Sequence, residues 1–312
     1  MPLTYSSRNT LYSIQDLLVT SAISLGYLLL SYFLIGFKSD QLVLVMIFNV
    51  GYYASAFTRK FILGFSIFIV YWIIFDYMKA FPNYRFHDVS TSALYNLEKA
   101  LFGINDNGLL LTPNEYFKLH HLVSVDVISG FFYLMWIPVP LAFAAFLFFR
   151  NRKQFLYFSL SFVLVNLIGF VIYYLYPAAP PWYIQQHGYE FIANTPGNTA
   201  GLARFDAYFD APIFASIYSK SSNVFAAMPS LHSSYPVIVV YYGLKNRLGW
   251  FNVFFTIVML GIWFTAIYTS HHYVLDVLAG ISCAVLAIVL FNYLVANTGL
   301  KRLLERYAKA IA

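Results

Sequence analysis

The sequence predicts an all-α fold, a polytopic transmembrane helical bundle of about eight spans. Of its 312 residues, 60% are hydrophobic and only 10% are charged, which leaves too little polar surface to coat a water-soluble domain of this size. The apolar residues fall into runs that approach or reach the ~20 residues a spanning helix needs. The basic residues gather in small groups at the ends of those runs rather than along one exposed face. The net charge of +6 therefore reads as membrane topology and not as nucleic-acid binding.

The first run, 17–37, is longer than a signal-peptide core, and the GFKSDQ that follows has no small-residue cleavage pattern, so it reads as a retained anchor. Runs 42–58 and 61–81 are interrupted only by Arg59 and Lys60, which predicts a tight helical hairpin with a basic, cytoplasmic turn. A long outer segment, 82–126, carries the amphipathic stretch LYNLEKALFG, suited to lying on the membrane surface. Spans 127–149 and 155–176 follow, joined by the RNRK turn, and lead into a second outer segment, 177–229, that is rich in aromatics. Runs 230–244 and 250–270 are joined by a KNR turn, and 273–296 is the last before a basic tail. The second and sixth runs are the short ones.

Alternate threading puts Arg8, Arg59, Lys60, Arg150, Arg152, Lys153, Lys245, Arg247, Lys301, Arg302, Arg306 and Lys309 on one side, the larger part of the 19 basic residues. The others are spread over much longer loops. The side rich in Lys and Arg is the cytoplasmic one, so both termini are expected there and both long segments on the extracytoplasmic face. The organisation expected is one membrane domain, 1–312, with N-terminal spans in 1–81 and a catalytic helical core in 127–296 whose outer loop is 177–229. The single cysteine, Cys283, lies in the last run and permits no intramolecular disulfide.

Ionisable side chains at membrane depth are expensive, so each is a functional candidate. Two clusters stand at the outer ends of spans: AMPSLHSSYP, 227–236, and YTSHHYVLD, 268–276. The intervening hairpin returns the chain to the same face, so they can meet. His272 and Asp276 are four residues apart and share one face of the helix opening there. A carboxylate so placed accepts the N–H of one ring nitrogen and leaves the other free to act, which makes His272 a candidate nucleophile on phosphorus. His232 is the candidate acid for the leaving oxygen, and then the base for an incoming alcohol or water. Pro229 and Ser230 stand where a helix should start, and its free N–H groups, its dipole and the Ser230 hydroxyl suit a phosphate.

Each feature has a plainer reading. A lone histidine near an interface is often structural, and Ser-x-x-Ser before an apolar run serves as a cap. The two clusters together, on one face and with His-x-x-x-Asp in register, favour function. The pairs His120–His121 and His271–His272 raise the question of a metal, but adjacent histidines point to different sides of a helix and no HExxH or paired-carboxylate pattern is present. No metal is expected, and His271 reads as a neighbour that shapes the site.

These residues resemble the type 2 phosphatidic acid phosphatase superfamily, whose second and third signature motifs read PSGH and SRxxxxxHxxxD. Here they stand as PSLH, Pro229 to His232, and TAIYTSHHYVLD, Thr265 to Asp276, with the spacing kept. The resemblance implies a six-helix core, a phosphorylated nucleophile at His272, an orienting Asp276, an acid and base at His232, and no cofactor. Leu231 replaces the family glycine, Ala266 stands where the phosphate-binding arginine would be, and YPAAPPWY, Tyr176 to Tyr183, takes the place of the first motif. Together PSLHS, SHHY and YPAAPPWY resemble the branch of fungal inositol phosphorylceramide synthases and related inositolphosphotransferases. That branch implies a phospholipid donor, a lipid-alcohol acceptor such as ceramide, and catalysis on the lumenal side.

The missing arginine leaves a gap, because a transferring phosphoryl group is held by cations or N–H donors aimed at its oxygens. Lys220 and Arg204 are candidates to fill it, with Lys79 and Arg85 as others, although any one of them can instead be an interfacial residue snorkelling to headgroups. Ser230, His271, Lys220, Arg204 and Tyr268 are thus the candidate substrate contacts, and Asp206 and Asp210 could bond a polyol. Two other readings stay open at this point: a lipid phosphate phosphatase, with water as acceptor, and a lipid transporter or scaffold with a decayed site. A monoester would want the missing cation more than a singly charged diester does.

Overall fold

The structure, a computed structural model, describes residues 12–219 and 223–312. Tertiary contacts divide the chain into two compact units, one formed by the chain up to Ala80 with Arg306–Ala312 and the other by Phe81–Glu305. Almost all of the regular structure is helical, as expected of an integral membrane protein, in which backbone groups must be satisfied within the segment. Among the described residues, six segments are long and apolar enough to cross a membrane: Ile14–Ile35, Ala56–Ala80, Val123–Arg150, Arg152–Leu175, Trp250–Tyr268 and Val274–Asn297.

The first unit contains α1 (Ile14–Ile35), α2 (Ser39–Tyr53) and α3 (Ala56–Tyr77). Polar pairs join them: Thr20 Oγ1 to Tyr53 Oη at 2.7 Å, Ser31 Oγ to Tyr77 Oη at 2.8 Å, and Asn49 Nδ2 donating to Ser24 Oγ at 2.9 Å. Such bonds hold helices together where lipid removes the hydrophobic drive between them. The turn expected at Arg59 and Lys60 comes earlier. Ser55 caps α3, its Oγ accepting the Thr58 N–H at 3.0 Å, which puts Arg59 in the first turn of the helix. Its guanidinium lies over the Tyr52 ring, 4.3 Å from the centroid.

The second unit opens with α4 (Ala93–Phe102), a short hairpin of β1 (Ile104–Asp106) and β2 (Leu109–Leu111), and α5 (Pro113–Leu119). The run expected as one helix over 127–149 is two, α6 (Val123–Leu134) and α7 (Pro138–Arg150), broken at Met135–Ile137. Pro138 and Pro140 have no N–H to give the carbonyls of Leu134 and Trp136, which opens the helix there. Then come α8 (Arg152–Leu175), α9 (Pro181–His187), α10 (Ala203–Phe209), α11 (Ile213–Tyr218), α12 (Leu231–Lys245), α13 (Trp250–Tyr268), α14 (Val274–Asn297) and α15 (Leu300–Ala310). Two of the eight expected runs, α2 and α12, have 15 residues each, about 22 Å of helix against ~30 Å of hydrocarbon.

Helix α12 sits at the centre of this unit, packed on α8, α13 and α14. The approach to α14 is close enough that a Cβ on Gly280 would collide with the Ser230 carbonyl oxygen. The chain between α8 and α9, residues 177–180, runs between two other segments, with Ala178 bridging in parallel to Ser90 and to Ala226. It thereby ties both outer segments to the chain that leads into α12. At the opposite end of the unit Lys153 pairs with Glu305 at 3.5 Å, and Lys245 lies over the Tyr157 ring at 5.7 Å.

Candidate active site

Helix α13 ends at Tyr268, and the chain turns back on itself before α14. Ser270 adopts a left-handed conformation, φ 62°, which lets the N–H groups of His271 and His272 both reach the Ala266 carbonyl, at 3.1 and 2.9 Å. The outer segments fasten this turn from several directions. Asn114 Nδ2 donates to the carbonyls of Ile267 and His272, at 2.7 and 2.9 Å. Glu98 accepts the N–H groups of Val274 and Leu275, at 2.9 and 3.1 Å, and so caps α14. Burial pushes the Glu98 carboxyl up from its ordinary value, and these two donors pull the other way. The N–H of Trp182 donates to the Ser270 carbonyl at 3.0 Å, and that of Gly201 to the Thr269 carbonyl at 2.9 Å.

On that turn the His272 ring presents Nδ1 to the Ala227 carbonyl at 3.0 Å, with Asp276 Oδ2 at 3.5 Å. Both neighbours are acceptors, so Nδ1 carries the proton and Nε2 keeps its lone pair. The sequence names the Asp276 carboxylate as an acceptor for one ring nitrogen, and the structure adds the Ala227 carbonyl at Nδ1. The backbone carbonyl is the nearer acceptor, and Asp276 Oδ2 makes its shorter bond, 2.8 Å, to the Tyr273 N–H. The carboxylate is fully buried, and its Oδ1 has no hydrogen-bond partner among the described residues.

His232 comes from the first turn of α12, and its ring centroid lies 5.7 Å from that of His272. The two sequence clusters do meet. Ser230 is the residue before that helix; its N–H donates to the Asp276 carbonyl at 2.9 Å, and its Oγ accepts from Ser233 Oγ at 3.0 Å. Tyr133 Oη lies 3.1 Å from His232 Nδ1.

His271 faces away from this pair. Its ring lies near-parallel to those of Tyr133 and Tyr218, and its Nε2 meets the Thr199 carbonyl at 3.0 Å. Burial first, and then the neighbouring His272, push it down to about 3, so it is neutral at physiological pH.

Of the other candidates, Lys220 lies outside the described residues. Arg204 is not at the histidines. Its Nε bonds Asp126 Oδ1 at 2.6 Å and its guanidinium lies 5.4 Å from the Tyr268 ring centroid, while Nη2 is buried with no hydrogen-bond partner among the described residues. Tyr268 belongs to the same cluster, donating to Asp126 Oδ1 at 2.8 Å. Lys79 pairs with Asp76 at 2.6 Å, and Arg85 is exposed on a short 3-10 turn. Asp206 caps α11, accepting the N–H groups of Phe214 and Ala215 at 2.9 and 2.8 Å, and Asp210 ends α10 in a left-handed conformation.

The two departures from the family motifs have local causes. The Leu231 side chain fills the space over Gly169 of α8, where a Cβ would come 2.6 Å from Leu231 Cδ2. Ala266 is fully buried in an apolar cluster with Tyr133, Leu202, Phe205, Phe214 and Val277, a setting unsuited to a cation.

Sequence reasoning missed Tyr133, Tyr218, Trp136, Ala227, Glu98, Asn114 and Asp126. Asp126 stands at the edge of an apolar run, and the helix that begins at Val123 draws it inside. The Ala227 contact is a backbone carbonyl and has no side-chain signature at all.

A pair of histidines at neighbouring helix ends, one with its reactive nitrogen fixed by acceptors on the other, can combine nucleophilic attack with proton transfer inside a membrane protein. The sequence profile of the PAP2 superfamily matches residues 106–290, more than half of the chain, and the chain belongs to that superfamily. A phosphoinositol dihydroceramide synthase of Bacteroides thetaiotaomicron is 46% identical over 288 residues, covering 91% of this chain and 94% of that protein. An inositol phosphorylceramide synthase of Candida albicans is 29% identical over 219 residues, 66% of this chain and 42% of its own length. The inositol phosphorylceramide synthase catalytic subunit of Saccharomyces cerevisiae is 28% identical over 229 residues, 72% of this chain and 54% of its own. This chain thus spans about half the length of these fungal relatives. No solved structure matches it.

Proposed function

We propose that this protein transfers phosphoinositol from a phospholipid, phosphatidylinositol, to the hydroxyl of a ceramide-type acceptor such as dihydroceramide, by way of a phosphohistidine at His272. The single observation that carries the mechanism is the His272 ring, held through Nδ1 by the Ala227 carbonyl and Asp276, with His232 beside it. The substrate pair is supported by the 46% identity to a phosphoinositol dihydroceramide synthase over nearly all of both chains.

In the first half-reaction His272 Nε2 attacks phosphorus, the bond to the diacylglycerol oxygen breaks, and His232 gives that oxygen its proton. In the second, the acceptor hydroxyl gives its proton to His232 as its oxygen attacks phosphorus and the P–N bond breaks. The phosphate sits at the start of α12, where the N–H groups of Leu231 and His232 are the orphan donors of a helix N-terminus. Ser230 accepts from Ser233 and so keeps its own proton for a phosphate oxygen. The corresponding donors of α14 are already taken by Glu98. A diester carries one negative charge, which N–H donors and a hydroxyl can balance without the arginine that Ala266 replaces.

The site faces the extracytoplasmic side, with both termini in the cytoplasm. The basic groups at the far end of the second unit support this. Counting α2 and α12 as short spans gives about eight crossings around a six-helix core of the family type.

The test is mass spectrometry of lipids after purified protein is given labelled phosphatidylinositol, with and without dihydroceramide. A ceramide-dependent phosphoinositol product, abolished by His272→Ala, is expected. Release of free inositol phosphate with no lipid product would replace the transferase by a phosphatase.

A further inference from the structure

The reaction as written leaves one contact of His232 without a purpose. His232 Nδ1 lies 3.1 Å from the Tyr133 hydroxyl, in the last turn of α6 before its break. Tyr133 is 1% exposed. Its ring lies against His271, centroids 5.5 Å apart and planes at 15°, so packing already fixes where the hydroxyl points. Tyr218 also stacks on His271, 4.7 Å and 10°, and its hydroxyl donates to the Tyr133 oxygen at 3.4 Å. Trp136 meets the His232 ring edge to face at 4.2 Å.

We propose that Tyr133 is the positioning residue of His232: its phenolic oxygen accepts the Nδ1 proton, which turns Nε2 toward the reacting oxygens in both half-reactions. The inference rests on the phosphohistidine reading above. A group that gives a proton and later takes one back must present the same nitrogen each time, and an anchored Nδ1–H ensures that. His232 enters the first half-reaction as the imidazolium, and its Nε2 proton goes to the departing diacylglycerol oxygen, which leaves the neutral Nδ1–H ring as the base for the second. In the second, the acceptor's hydroxyl proton comes to Nε2, and the Nδ1 proton stays where it is throughout.

The choice of a phenol has a physical reason. A carboxylate would hold the imidazolium more tightly than a neutral oxygen does, and His232 has to let its proton go. His272 has the opposite need. It must carry the phosphoryl group on a ring that becomes cationic, and it has Asp276 beside it. The two histidines therefore receive different partners for different tasks. Tyr218 supports the arrangement one step further out by donating to the oxygen that accepts from His232.

The experiment compares full-length wild type, Tyr133→Phe and Tyr218→Phe with two donors. One is phosphatidylinositol and the other a phosphoinositol diester whose leaving group is nitrophenol, which departs without a proton. Tyr133→Phe keeps the ring stacked on His271 and removes only the hydroxyl. With phosphatidylinositol its kcat should fall about 10–100-fold with KM unchanged, and Tyr218→Phe should fall less. Formation of the phosphohistidine from the nitrophenyl donor should stay within about threefold of wild type, because that step needs no acid. Equal slowing with both donors would mark the loss as structural and overturn the proposal, as would an unchanged kcat on phosphatidylinositol. The reading beneath it fails separately, if His272→Ala still turns over or wild type forms no acid-labile phosphate.

Discussion

His272 has two acceptors at one nitrogen, and their distances differ, 3.0 Å to the Ala227 carbonyl and 3.5 Å to Asp276. In a triad where the carboxylate alone sets the tautomer, changing it to an amide costs about 10⁴ in kcat, because the ring turns over to the wrong form. Here the carbonyl holds the proton on Nδ1 whatever stands at 276. Asp276→Asn should therefore lose only the carboxylate's charge, a fall in kcat of about 10–100-fold, with phosphohistidine still detectable by rapid quench. A loss as deep as that of His272→Ala would assign the tautomer to Asp276 after all. At this scale His232, Ser230, His272 and Asp276 were legible in the sequence because polar groups are rare in an apolar chain and these fall at helical spacing. Tyr133 was not. One tyrosine in a chain that is 21% aromatic carries no signal until its hydroxyl is seen against a histidine.

Helices α12 and α14 bring the two clusters together, and they do so by backbone contact. The Ser230 N–H reaches the Asp276 carbonyl at 2.9 Å, and Ser234 Oγ donates to the Gly280 carbonyl at 2.7 Å. Gly280→Ala would drive a methyl group into the Ser230 carbonyl, which backbone cannot yield to without parting the helices. Overpacking of this kind costs about 1–3 kcal/mol, so the thermal midpoint in detergent should drop. Activity should drop further than the folded fraction does, since Ser230 and His232 shift together. Hydropathy located the apolar helices α8, α12, α13 and α14 within a few residues, and it failed where the chain changes direction for reasons other than polarity. The Ser55 cap sets the start of α3, whereas Arg59 and Lys60 are merely the nearest charges. Pro138 and Pro140 break a run that is apolar throughout.

Across the molecule, large apolar side chains such as Phe33, Leu175 and Trp250 stand more than half exposed, as a lipid-facing surface requires. The basic turn at Lys245 and Arg247 and the histidine pair lie at opposite ends of α12. With the buried Cys283 changed to Ser, a cysteine at exposed Glu190 should react with an impermeant maleimide from outside intact cells, and one at Asn246 only after permeabilisation; the reverse labelling would invert the assigned topology. Membership of the PAP2 superfamily was legible from two motifs and their spacing, but the fastening of the outer segments was not, because no local pattern in LYNLEKALFG says that Glu98 turns inward to a helix 176 residues away. That fastening bears on how the protein is made. The turn carrying His272 is gripped by Glu98 and Asn114 from one segment and by the backbone of Trp182 and Gly201 from the other, so both must reach the same side before that turn is set. A chain inserted with one crossing missed would leave that turn without one set of these partners.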